Sequence, residues 1–112
     1  MAFDSNYLHL AAEYGGPLGC KFWVYDTTDA TGDVDATGYF AGMGAPAFGH
    51  RGMQPGDLVL VRIWSSSVPA TTAAKLAATP ADAGFHLVRS VNSTTGAVTV
   101  TAETAIAVVA GT

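Results

Sequence analysis

The stretch QPGDLVLVRIW, residues 54–64, decides the fold of this chain. Gln54-Pro55-Gly56-Asp57 has the composition of a tight turn, because proline presets the first central φ and glycine accepts the second. The turn launches Leu58 to Trp64, in which Leu58 and Leu60 alternate with Val59, Val61 and Ile63. Both faces of that strand are apolar. Such a strand lies in the middle of a sheet, or one of its faces is covered by another subunit.

Working outward, KFWVY (residues 21–25) is aromatic and β-branched and suits a pleated, half-buried surface. FHLVRSVNSTTGAVTVT (85–101) reads as a hairpin. Its loop runs from Asn92 to Gly96, and its second strand sets Val98 and Val100 against Thr99 and Thr101. His86, between Phe85 and Leu87, is expected to face outward or lie in an interface. AGMGAPAFGHRGM (41–53) reads as a glycine-rich loop, and residues 65–83 as an excursion with one helical turn around Thr72 to Ala78. The tail AIAVVAGT is a candidate for a last strand.

SNYLHLAAEY at the start is open to three readings. It could be a helix capped by Asp4 or Ser5, a strand, or an extended arm that orders through contacts, and the arm is preferred. Gly15-Gly16-Pro17 would break any of them. The expectation is therefore an all-β fold, a small β-barrel or β-sandwich of short antiparallel strands with long loops. Residues 1–20 would form the N-terminal arm and residues 21–112 a single β domain. A chain of 112 residues has room for one small core.

Composition narrows the function. Apolar residues make up 49% of the chain and charged ones 12%, about half the usual charged share. So few charges cannot cover the surface, and some apolar area is expected against other chains. The net charge is -4, and Lys21, Arg51, Arg62, Lys75 and Arg89 are scattered. No basic stripe tracks a phosphate backbone, so no nucleic-acid partner is expected. No secretory signal and no apolar run of membrane-spanning length is visible, so no membrane partner is expected and synthesis is expected in the cytoplasm, wherever the protein later goes. The single Cys20 reads as a small buried hydrophobe.

Four aspartates, Asp26, Asp29, Asp33 and Asp35, crowd one short run. Their spacing is not that of a calcium loop, and no glutamate closes it. At about 6 Å two exposed carboxylates repel by only about 0.7 kcal/mol in water, so the run needs no cation and reads as a water-facing turn. Small Thr, Gly and Ala neighbours could not raise a carboxyl pKa for glycoside hydrolysis. His9, His50 and His86 lack metal-ligand spacing. There is no GxSxG elbow, GxGxxG loop or GK[ST] ending. No catalytic, metal or cofactor residue is expected, and the chain is read as a non-enzyme.

W-x-Y-D-T-x-D (Trp23 to Asp29), G-Y-F (Gly38 to Phe40), P-G-D-L-V-L-V (Pro55 to Val61) and V-N-S-T-T-G-A-V-T-V (Val91 to Val100) follow one another in order. With the opening MAFDSNYLHLAAEYGG, this pattern resembles a group of small virion proteins of tailed phages and phage-like gene transfer agents. The resemblance spans residues 1 to about 101. It implies a structural protein made in the host cytoplasm and placed on the outer capsid surface. There it would be a decoration (cement) protein bound between subunits of the major capsid protein. Alternatives are the base of a head spike or head fibre, or a receptor- or glycan-binding module. A symmetric homo-oligomer follows from capsid symmetry, a trimer before a pentamer, with a head-fibre protein as a further partner. Phe3, Tyr7 and Leu8 in the arm and Trp64 at the strand end are the expected contact residues.

Overall fold

The computed structural model describes residues 3–14, 19–44 and 52–108. The breaker Gly15-Gly16-Pro17, most of the glycine-rich loop with His50 and Arg51, and the last four residues of the tail lie outside the described residues. The fold is all-β. Six strands form one mixed sheet: β1 (Leu8–Tyr14), β2 (Cys20–Thr27), β3 (Leu58–Ile63), β4 (Asp82–Val91), β5 (Val98–Val100) and β6 (Thr104–Ile106). They lie in the order β1-β2-β3-β4-β5, with β6 also on β4. Two short helices, α1 (Thr31–Val34) and α2 (Thr72–Ala77), complete it. Among the described residues no helix is long and apolar enough to cross a membrane.

The Pro55-Gly56 turn forms as read, with the Asp57 amide donating to the Gln54 carbonyl at 3.0 Å and Gly56 at φ +93°. Glycine occupies the left-handed position that a type II turn requires. β3 is central, between β2 and β4. Its pairing with β2 is parallel, which corrects the expectation of antiparallel strands throughout. A parallel pair needs a long crossover, and residues 28–57 supply one. That crossover carries α1, Phe40 and Met53 over one face of the sheet, where Val34, Phe40 and Met53 are all fully buried.

Neither a closed barrel nor a two-sheet sandwich results. The hydrogen-bonded ladder runs from β1 to β5 without closing. At the β5 end the ladder passes to a single bridge between Phe40 and Val98. Beyond it, side chains fill the gap: Phe3 packs on Tyr25 and Phe40 with ring centroids 5.4 and 5.2 Å apart. The core consists of inward residues of β2 to β5 (Trp23, Tyr25, Val59, Val61, Ile63, Val88, Val98, Val100) with the three crossover residues. Leu8, Tyr39, Met43 and Val91 pack against it. Fully burying one such side chain contributes about 1.5–3 kcal/mol.

The segment read as an arm supplies part of this sheet. Asp4 caps a 3-10 turn at Ser5–Tyr7, its side chain accepting from the Asn6 amide. β1 then pairs antiparallel with β2, Leu8 opposite Tyr25 and Leu10 opposite Trp23. The alternation of Leu8, His9 and Leu10 explains the preference, since β1 can turn Leu8 towards the core while His9 stays exposed.

The hairpin is confirmed in β4 and β5. Asn92 Oδ1 accepts from the amides of Thr94 and Thr95 at 2.8 and 3.0 Å, and Gly96 takes φ +74°. β6 continues in line with β5 along the same edge of β4, because β3 occupies the other edge. His86 does not face outward. It pairs with Val59 on the core side, is 1% exposed, and its Nδ1 lies 2.8 Å from the Thr101 carbonyl oxygen. A carbonyl only accepts, so Nδ1 carries the proton. Cys20 is only partly buried.

Candidate interaction surfaces

The aspartate run is the first candidate, and the structure divides it in two. Asp33 is exposed in α1 and Asp35 partly exposed after it, as a water-facing turn requires. Asp26 and Asp29 are buried instead, at 9% and 2% exposure, which corrects the solvated reading for half of the run. Asp26 ends β2 beside Arg62 of the parallel neighbour β3. Its two oxygens accept from Arg62 Nε and Nη2 at 2.7 and 2.8 Å, and Oδ1 also accepts from the Trp64 indole at 3.1 Å. Paired burial of this kind needs the bidentate geometry and the extra donor to offset desolvation.

Asp29 anchors a second chain of bonds. Tyr39 donates its hydroxyl to Asp29 Oδ2 at 2.5 Å. With its one hydrogen so used, Tyr39 accepts from Tyr25, whose oxygen is 2.8 Å away. Tyr25 in turn accepts from the Asp4 amide at 3.3 Å. Burial, and then the bond to Asp29, push the Tyr39 phenol well above its ordinary range. A phenol held protonated in this way is a structural strut, and neither a base nor a nucleophile at neutral pH.

Asp57, which sequence reasoning passed over, is the third polar anchor and is fully buried. It accepts from the Lys21 amide at 3.1 Å, the Trp23 indole at 3.2 Å and the Gln54 amide at 2.9 Å. The Lys21 ammonium is 3.9 Å away and donates to Gln54 Oε1 at 3.0 Å. One signal was available: Lys21 opens an otherwise apolar strand, and a lysine on such a strand needs an acidic partner. Among the described residues no three His, Cys, Asp or Glu side chains are grouped to hold a metal ion.

The four expected contact residues do not share one surface. Phe3 is packed in the aromatic cluster with Tyr25, Tyr39 and Phe40. Leu8 packs on the core. Trp64 is 5% exposed, its ring spent on Asp26 and on the base of the excursion. Of the four, Tyr7 is exposed, at 37%, while Phe3 and Leu8 are partly buried.

Two other surfaces emerge, the first mixed in polarity around one exposed leucine and the second apolar. The excursion after β3 leaves and returns at one point, where the Ala81 amide donates to the Ile63 carbonyl at 2.7 Å. It carries α2, which buries none of its residues and holds Leu76 at 83% exposure. An open recess of about 360 Å³ lies between α2 and Trp64. The second surface is the outer face of the sheet, made by Phe22 and Val24 of β2, Leu58 and Leu60 of β3, and Phe85 and Leu87 of β4. Comparison with protein-family models, curated proteins and solved structures finds no match for this chain.

Proposed function

We propose that this chain is a non-enzymatic structural protein of a tailed-phage-type particle. It sits on the outer capsid surface as a decoration (cement) protein and binds between subunits of the major capsid protein. The observation that carries this reading is the display of Leu76 on α2. A helix of this length is not stable by itself in water. α2 is held locally by its Thr71 cap, whose hydroxyl accepts from the Ala74 amide at 3.1 Å, and it presents a leucine to solvent. Because α2 buries none of its residues, this leucine adds no core packing and is open to contact with a partner.

The sequence resemblance to virion proteins supplies the partner. Several copies in a symmetric oligomer, a trimer in this reading, would each engage neighbouring capsid subunits. Release then requires all contacts to break together, so weak single contacts still clamp the shell. Catalysis plays no part in this reading, because the best-defined polar groups are consumed in structural bonds.

The test is rebinding of purified protein to heads that lack it, read by co-sedimentation. Leu76→Asp, and replacement of residues 65–80 by a short Gly-Ser turn, are expected to weaken binding at least tenfold. Undiminished binding by both variants would remove α2 from the reading, and no binding by the native chain would remove the capsid itself. A glycan array positive for the isolated protein would instead favour the receptor-binding alternative.

A further inference from the structure

The outer face of the sheet is apolar across three adjacent strands. Residues paired across a sheet share a face, so the register lays out its rows. One row runs His9, Val24, Leu60, Phe85, Thr104, and the next places Phe22, Leu58 and Leu87 side by side. The Phe22 and Phe85 rings meet across β3 at 6.5 Å. Phe22, Val24, Leu58, Leu60 and Phe85 are partly exposed, and Leu87 is 45% exposed. The excursion reaches only the Asp26–Arg62–Trp64 end, through Val68 and Pro69. No helix or strand among the described residues is packed across the rest.

We infer that this face is where a second copy of the chain docks, so that the sheets of neighbouring protomers meet about a rotation axis. Charge is the argument. The chain is acidic at net -4, so two copies repel over most of their surface. The face holds no unpaired carboxylate, because Asp26 is neutralised by Arg62 at its margin. Like can therefore meet like without a Coulombic penalty. The same neutrality gives the face no charge pattern by which to select a foreign protein, whereas a symmetric contact needs only matching shape.

The inference deepens the oligomer of the proposed function and rests on it.

Sedimentation equilibrium of the full chain over a wide concentration range tests both, separably. The native protein is expected to be a multimer. Leu87→Glu is expected to be folded by circular dichroism and at least tenfold weaker in self-association. Thr94→Glu, exposed in the β4–β5 loop, is expected to associate like the native chain. An equimolar mixture of L87E and L87K should regain the multimer, which unfolded chains could not do. If L87E fails to fold, Leu87→Gln, which only removes the apolar tip, decides by the same readout. A native multimer left intact by every Leu87 variant would overturn the face while sparing the oligomer. A monomeric native chain at all concentrations would overturn both.

Discussion

Asp57 shows how much one residue can hold. Its carboxylate gathers a strand amide, an indole and a turn amide, tying β2 to the turn that starts β3. Asp57→Ala leaves these three donors without their acceptor and the buried Lys21 ammonium, still bonded to Gln54 Oε1, without its counter-charge. The expected loss is about 3–5 kcal/mol, a large part of the whole stability of a domain this size, read as a lower urea midpoint. Tyr39 gives a prediction with a sign in pH. Its folded-state pKa is raised above the unfolded value of about 10, first by burial and then by Asp29. The native state therefore holds its proton where the unfolded chain releases it. The contribution is complete below about pH 10 and is lost as pH rises beyond it. Tyr39→Phe should cost about 1–3 kcal/mol at pH 7 and flatten the alkaline fall, measured by denaturant unfolding between neutral pH and pH 11.

Among elements, the passage of the crossover beside the β4–β5 hairpin is a tight join. The Gly44 amide donates to the Gly96 carbonyl at 2.8 Å. A Cβ at Gly44 would overlap a Val91 methyl and lie 3.0 Å from that same carbonyl oxygen. Gly44→Ala is expected to destabilise by about 1–3 kcal/mol through overpacking. Gly32 in α1 has nothing within 4 Å of its would-be Cβ. Gly32→Ala should therefore be neutral or stabilise by up to about 1 kcal/mol. Thermal unfolding of the pair separates close packing from a general sensitivity to losing glycine. α2 formed where the sequence marks one helical turn, since Thr71 offers a cap and Ala-rich residues follow. α1 was not legible, because four residues are too few for a periodic signal.

For the whole molecule, the important revision concerns the N-terminus. An arm could be removed without cost to the fold, but β1 brings Leu8 and the hydrogen bonds of an edge strand, and Phe3 joins the aromatic cluster. Deleting residues 2–14 is expected to lower stability by about 2–5 kcal/mol, since it removes the packing of the partly buried Phe3 and Leu8 together with an edge strand. Chemical unfolding of the truncated chain measures it, and unchanged stability would restore the arm. The misreading of His86 also belongs to this scale. Phe85 and Leu87 are both apolar, so a reader counting on one buried face assigns them inward and the histidine outward. The opposite holds because the outer face is apolar too, and the parity of β4 is set by its register with Val59.

Local chemistry carried the strands, the Pro-Gly turn, the Asn92 to Gly96 loop, the short helix of the excursion and the all-β class. Each depends on side-chain preference or backbone freedom within a few residues, which a sequence displays directly. Tertiary structure alone decided that β2 and β3 run parallel, that the ladder stays open, and that Asp26, Asp29 and Asp57 are buried anchors. Those outcomes depend on which distant segments become neighbours. Arg62 is 36 residues from Asp26, and nothing local to either one states that the crossover between them will bring the two side by side.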